Sequence, residues 1–560
     1  MKFYKLKRTR LNRQIRSYTY LCLVSFFTGI IITIPAEVIF RSVTETARIN
    51  FVHSDGHSRK RLFNEFLGSG VALFDYDNDG DLDIYLLNGA KQLPSSDMTA
   101  PNQMYQNQGD GSFVNVTSDT NLGHAGYGVG CTTGDYDNDG FIDLYLTNFG
   151  ADVLYRNQGD GSFKNATQSA EIDNLSWGTS CALTDINNDG HLDLYVTNYA
   201  NYDVALDYQC IIRQIHVYCG PHAYSPTPDR LFVNNGDGTF IDQAEQRGIN
   251  QPLPCHGLGV VVGDYDNDGD SDFYLANDQD PNFLFQNRGD GNFDEIALLA
   301  GVAYNGMGKE EAGMGTAFGD YDNDGYLDLT VSNFQTETNT IYHNEGNDFF
   351  MDLTITTGMA EQTYNYLGWG IKFFDYDNDG WQDVFVVNGH VMDNINQLEP
   401  NVTFPQKNLL FRNQHNGTFE LVNGTGGLNI KKVSRSAAFG DYDNDGDIDI
   451  IVTNWNQSPD LLRNEVGNRN HWVMFKTIGV KSNKSGIGSK IMVTTENLTQ
   501  YREVRSDGSY LSASDLRVHF GLGTDTVIKH VEIQWPSGQT DHHKNLSANQ
   551  VYTLIEGQKI

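Results

Sequence analysis

Positive charge is scarce in this chain. Lys and Arg number 38 against 72 Asp and Glu, giving a formal net charge of −34 over 560 residues. Such acidity repels a phosphate backbone and argues against a nucleic-acid partner. Cysteine is scarce too, and the six present show neither Cys-x-x-Cys nor the Cys/His spacing of a zinc site. Gly-x-Ser-x-Gly, P-loop, His-Glu-x-x-His and dinucleotide signatures are all missing, so the common hydrolytic, phosphoryl-transfer and redox sites find no motif here. The histidines His216, His222, His256 and His390 stand singly in loops, where a structural or solvent-exposed role is the expectation.

Basic residues concentrate at the N-terminus. Lys2, Lys5, Lys7, Arg8, Arg10, Arg13 and Arg16 precede an uncharged stretch from Ser17 to Ala36. This reads as an export signal, with a basic cytoplasmic region over 1–16 and a signal peptide or membrane anchor over 17–40; cleavage and retention both stay open. By the positive-inside rule the remainder is exported, to be secreted, periplasmic or displayed at the cell surface. Any membrane contact is through this segment alone.

What the chain has in abundance is one acidic turn. Asp75-Tyr-Asp77-Asn-Asp79-Gly80-Asp81-Leu-Asp83 recurs from Asp135, Asp185, Asp264, Asp320, Asp375 and Asp441, about 50 to 80 residues apart, which is the signature of repeat architecture. Position 6 is always Gly and position 9 always Asp. So many carboxylates in one turn repel one another unless a hard cation lies among them, with the Gly permitting the reversal and a carbonyl at position 7 adding a ligand. Calcium fits better than magnesium, which demands a regular octahedron and keeps more water. The expected donors are Asp75, Asp77, Asp79, Asp81 and Asp83, then Asp135, Asp137, Asp139 and Asp143, then Asp185, Asn187, Asp189 and Asp193. They continue with Asp264, Asp266, Asp268 and Asp272; Asp320, Asp322, Asp324 and Asp328; Asp375, Asp377, Asp379 and Asp383; and Asp441, Asp443, Asp445 and Asp449. Asn187 is a neutral ligand, so its site is expected to be the weakest. Seven divalent ions would reduce the charge from −34 to about −20. An EF-hand is excluded because position 12 is apolar (Leu86, Leu146, Val196) within β-branched and aromatic runs.

Each loop lies between two strand-like segments, followed by a third and then a Gly-Asp-Gly turn into a fourth that opens on an aromatic: Phe113, Phe163, Phe240, Phe293, Phe350 or Phe419. Four strands repeated seven times predict an all-β, seven-bladed β-propeller over 45–468. The seventh unit lacks its fourth strand, and Ile49-Asn-Phe51-Val52-His53 is expected to supply it and close the ring. Residues 470–560 alternate apolar and polar and predict a small separate β domain, with Trp472 and Trp535 in its core or against the propeller.

The run Gly70-Val-Ala-Leu-Phe-Asp-Tyr-Asp-Asn-Asp-Gly-Asp-Leu-Asp-Ile-Tyr85 resembles the FG-GAP/VCBS repeats of integrin α-like propellers. Gly486-Ile-Gly-Ser-Lys490, His519-Phe-Gly-Leu-Gly523 and Trp535-Pro-Ser-Gly538 look like an ASPIC/UnbV domain, and together they resemble the cartilage acidic protein-like family. The resemblance implies a secreted or surface calcium-binding propeller. The expected function is a binding or adhesion module for an extracellular glycan or protein, not an enzyme. The alternatives are a calcium-stabilised envelope scaffold and a lyase-like polysaccharide-active enzyme. Asn88, Asn148, Asn198, Asn277, Asn333, Asn388 and Asn454 end each second strand and are expected to cap turns. Beyond them lie insertions at 199–228, 303–314 and 389–407, where a partner is expected to bind, with Tyr208, His216, Tyr218, His222 and Tyr224 as contacts and a Cys210–Cys219 disulfide.

Overall fold

A computed structural model describes residues 38–56, 60–89, 100–250 and 254–560; the N-terminal basic and apolar expectations fall almost wholly outside them. No helix among the described residues is long and apolar enough to cross a membrane.

Every acidic loop joins two antiparallel strands. In the first unit Val71–Phe74 pairs with Asp83–Leu86, then come Gln103–Asn107 and Phe113–Asn115. The first two strands are buried at every residue, because neighbouring sheets cover both faces, and this is why they read as continuous apolar runs. Among the described residues six sheets have this four-strand order and one has five strands. First strands touch one another in cyclic sequence, with Ser434–Gly440 returning to Val71–Phe74. They approach closely: a Cβ on Gly130, Gly259 or Gly315 would stand 2.5, 2.2 or 2.2 Å from the carbonyl oxygen of Thr179, Met314 or Trp369, so glycine is required there.

The seventh sheet corrects one expectation. Its fourth strand is Val38–Ser42, and Phe40 faces Asn464 as Phe113 faces Asn107. Phe51 is instead buried with Ile49 against Tyr105 and Phe113, in the segment after the fourth strand. Phe113 N donates to Ala47 O there, just as Phe240 N donates to Ala170 O. Phe51 thus matches the packing segment that follows a fourth strand. The repeat domain begins at Val38 rather than 45, and the apolar segment 17–40 gives up Val38, Ile39 and Phe40.

The C-terminal residues form a three-stranded sheet around His471–Ile478 and a four-stranded sheet around Lys490–Thr494 and Val527–Gln534. Trp535 is buried and donates Nε1–H to Asp541. This domain lies on the acidic-loop side: Lys484 N donates to Asn138 Oδ1, Lys490 Nζ to Asp264, and Gly523 N to Asn378 O. From it, Ser506–Asp515 enters the axis. Ala513 N donates to Val71 O, Cys131 N to Leu511 O, Thr316 N to Ser509 O, Val262 N to Asp507 and Phe439 N to Ser514 Oγ. The first strands are the edge strands of their sheets, and this segment supplies partners for their exposed backbone groups.

Candidate metal centres and the opposite face

The seven loops share one hydrogen-bond frame. Asp75 Oδ1 accepts from Asp79 N and Oδ2 from Gly80 N, at 3.1 and 3.2 Å. Asp83 Oδ2 accepts from Tyr76 N and Oδ1 from Asn107 N, at 3.2 and 2.8 Å. Positions 1 and 9 are therefore aimed by the backbone. Position 6 Gly has φ of 87–97°, and position 4 is always an Asn with φ of 55–63°, the left-handed conformation that Asn tolerates among non-glycine residues.

Asp75, Asp77 and Asp83 bring one carboxylate oxygen each within 4.8 Å of the others, as do Asp135, Asp137 and Asp143. At position 3 one of the two oxygens lacks a hydrogen-bond partner in five loops: Oδ1 of Asp77, Asp137, Asp322, Asp377 and Asp443 is buried and accepts nothing. Burial pushes the carboxyl of Asp83 up to about 9 and those of Asp135, Asp320 and Asp441 to about 7. Convergent oxygens, five of them unpartnered, fit a hard divalent cation bound at positions 1, 3 and 9. Asp81 does not join the first cluster. Its side chain accepts instead from Asn444 of the seventh loop at 2.7 Å. In the third loop, Asn187 Nδ2 is spent on Asp189 Oδ2 at 2.9 Å.

Three sets of residues escaped the sequence reading. The position-4 Asn side chains link the loops: Asn78 donates to Gly140 O, Asn138 to Gly190 O and Asn378 to Gly446 O. The last Asn of each third strand latches two units. Asn157 Nδ2 donates to Tyr76 O and Ile142 O, and Asn107 Nδ2 to Tyr442 O and Leu82 O. The residue before that Asn faces position 3 or 9: Gln106 meets Asp77 at 2.8 Å, Gln286 meets Asp266 at 2.7 Å, Arg412 meets Asp377 at 2.8 Å, and His343 meets Asp328 at 2.9 Å. Its equivalent beside Asn187 is Val233. The available signals were an invariant Asn at position 4 of every loop and another six residues before each of Phe113, Phe163, Phe240, Phe293, Phe350 and Phe419.

On the opposite face, the strand-ending Asn residues bridge their turns, as Asn198 Nδ2 does to Pro228 O and Asn454 Nδ2 to Ser458 O. Cys210 and Cys219 form a disulfide within the 199–228 insertion. That insertion meets 389–407 through Val217, Ile395, Leu398 and Val402, whereas 303–314 pairs beside Asp278 through Ala312. Tyr208, His216 and His222 are exposed. Tyr218 is not: it is buried against Phe66 and Trp455. Tyr224 is half-buried on Phe63, with ring centres 4.4 Å apart, and donates to Asp207. These two rings anchor the insertion, since an aromatic in a long loop can fasten it as well as present it. Beneath lies Arg435, fully buried 4.3 Å from the Trp369 ring and 5.3 Å from the Trp455 ring. It donates to the carbonyls of Phe66, Gly389, Ser434 and His390.

This repeat frame matches the FG-GAP-like repeat description at residues 75–146, 135–196, 217–275, 264–331, 320–386 and 401–452, and residues 479–560 match ASPIC and UnbV. The chain belongs to the FG-GAP-like repeat family and carries an ASPIC and UnbV domain. It is similar to cartilage acidic protein 1 of Xenopus tropicalis, 26% identical over 57% of this chain and 48% of the relative. It is similar also to that of Mus musculus, 25% identical over 84% and 71%. The chain spans about half the length of the Xenopus and human relatives (48% and 51%). In structure it resembles an Agrocybe aegerita lectin that recognises non-reducing terminal N-acetylglucosamine, at 16% identity and a TM-score of 0.38 over 63% of this chain and 79% of that one.

Proposed function

We propose that this chain is an exported, calcium-loaded, seven-bladed β-propeller that serves as a binding or adhesion module for an extracellular glycan or protein. The observation that supports it most is the buried, unpartnered oxygen at position 3 in five loops. An acceptor-only oxygen withdrawn from water without a donor is stable beside a cation, and oxygen-only ligands on a flexible turn suit calcium. The relatives are named for cartilage, an extracellular matrix, and for acidity, which agrees with an exported acidic chain. Loops packed by backbone bonds leave calcium a structural role, with the other face free for recognition.

On that face, a cavity of about 210 Å³ lies between the insertions, lined by Phe66, Tyr218, Phe334, Trp369, Met314 and Asp278. Tyr208 and His216 stand exposed on the same insertion. The test is a screen against glycans and extracellular proteins with and without calcium, repeated with Tyr208→Ala and His216→Ala. Calcium-dependent binding that these variants weaken supports the module. Binding indifferent to calcium and to both variants would overturn it, and product formation would favour a polysaccharide-active enzyme.

A further inference from the structure

Among the clusters of possible ligands that contain nitrogen as well as oxygen, one involves the 199–228 insertion. His222 is on the short turn Pro221–Ala223, His256 directly precedes the strand Gly257–Gly263, and Asp280 lies in the connection after Asp272–Asn277. Asp280 Oδ1 is 2.9 Å from His222 Nε2, and Oδ2 is 2.7 Å from His256 Nδ1. His256 N also donates to Asp280 Oδ2 at 2.9 Å, which fixes the carboxylate.

His256 is 2% exposed, and its Nε2 is 3.1 Å from Tyr224 O. A neutral imidazole has one N–H, yet both its neighbours, a carbonyl and a carboxylate, can only accept. If Nε2 donates to Tyr224 O, Nδ1 holds either a second proton or a cation. A histidine whose far nitrogen donates to a backbone carbonyl, beside a carboxylate, is the usual outer arrangement of a metal-binding imidazole.

We propose that His222, His256 and Asp280 form a site for a first-row transition cation, with Zn²⁺ as its probe. The three donor atoms lie within 4.8 Å of one another. Two nitrogens and a carboxylate suit zinc better than calcium, which takes oxygen. His222 is exposed, which leaves a side open for water. The metal would clip the insertion to two separate segments of one sheet, where closing a loop stabilises most. No pair of these residues has a zinc spacing in sequence; only the fold assembles them.

The full chain, saturated with calcium, is titrated with Zn²⁺ by calorimetry and compared with His222→Ala and Asp280→Asn. His530, Glu532 and His542 form a second cluster, whose signal is common to all three proteins and cancels in the comparison. The native chain is expected to bind one zinc equivalent at this site that is weakened at least tenfold in both variants, and the Co²⁺ form should show visible absorption that diminishes in His222→Ala. Superimposable isotherms overturn the proposal. So does a histidine ¹⁵N spectrum in which Nδ1 of His256 stays protonated with zinc present, since that leaves only a charged His–Asp pair.

Discussion

Asn444 Nδ2 donates to Asp81 Oδ1 at 2.7 Å, and through this bond the last acidic loop reaches the first. Asn188 makes the same reach to Asp270, while elsewhere position 4 reaches the glycine carbonyl of the next loop. The loops are thus mechanically joined as well as repeated, and Asn serves because it combines a left-handed backbone with a side-chain donor.

The third-strand latch predicts a stability effect. Asn107→Ala removes the donor for two buried carbonyls, Leu82 O and Tyr442 O. Leaving them unpaired costs about 1–3 kcal/mol each. The melting temperature should fall by several degrees, whereas the edge substitution Asn115→Ala should leave it nearly unchanged. Equal melting of both variants would count against the latch.

Asp152 sets a pH dependence. It is buried, and desolvation lifts its carboxyl to about 7 although Asn148 N, Tyr145 Oη–H and Asn174 Nδ2 all donate to it. The folded state therefore holds a proton that the unfolded chain releases near pH 4, so stability falls as pH rises from about 4 to 7. Asn102 and Asn282 occupy the same place in other units. Asp152→Asn should flatten the melting-temperature profile between pH 4 and 7, removing a decline of up to about 4 kcal/mol. A profile parallel to that of the native chain would refute the assignment.

Much of this was legible because the chemistry repeats. Seven loops at one spacing declared the acidic centres, and the aromatic after each Gly-Asp-Gly turn declared the fourth strands. Where repetition stopped, reading failed: Phe51 matched a pattern that Phe40 fulfils, since Val38-Ile-Phe merges into the preceding apolar run. The axial segment Ser506–Asp515 has no periodicity, and its bonds are to backbone, which sequence does not mark. The burial of Tyr218 and the packing of Tyr224 on Phe63 are likewise unmarked, because a loop tyrosine looks the same in sequence whether it faces solvent or another ring.

Arg435 offers a third prediction. A guanidinium donates in several directions at once, while an ammonium on a longer stem cannot lie flat between Trp369 and Trp455. Arg435→Lys should leave carbonyls such as Phe66 O and Gly389 O unsatisfied and destabilise by about 3 kcal/mol. Calcium binding should be unchanged, because the residue lies on the far face. Native-like melting would show that the bonds are dispensable.

Charge at position 3 should rank the metal sites. Asn187 already engages Asp189, and the third-strand residue equivalent to Arg412 and His343 is the uncharged Val233, so Asn187→Asp adds a carboxylate that no third-strand side chain engages, free for the proposed ion. Calorimetry should show the weakest calcium site tightening about tenfold, as ligand charge governs affinity in such loops. Asp264→Ala, which removes a charged position-1 ligand that also holds Asp268 N and Gly269 N, should lower calcium content and melting temperature more than Asn187→Ala. Equal losses would reject the ranking.

The last prediction couples calcium to the axial segment. With a site affinity of ~10⁻⁴ M and calcium near 1 mM, each loop gains about 1.4 kcal/mol, and seven gain roughly 10 kcal/mol. The C-terminal domain rests on these loops through Asn138, Asp264 and Asn378. Without metal, the carboxylates of Asp75, Asp77 and Asp83 repel within 4.8 Å, and the surface beneath that domain loosens first. Chelation should lower the melting temperature steeply. It should also speed hydrogen exchange at Ala513 N and Cys131 N, which bond Val71 O and Leu511 O across the axis, before it affects the second-strand amides of the sheets. A melting curve and an exchange pattern both unchanged by EDTA would sink the coupling and the calcium reading together. A lowered melting temperature with Ala513 and Cys131 still protected would retain the metal sites and show that the axial segment holds without them.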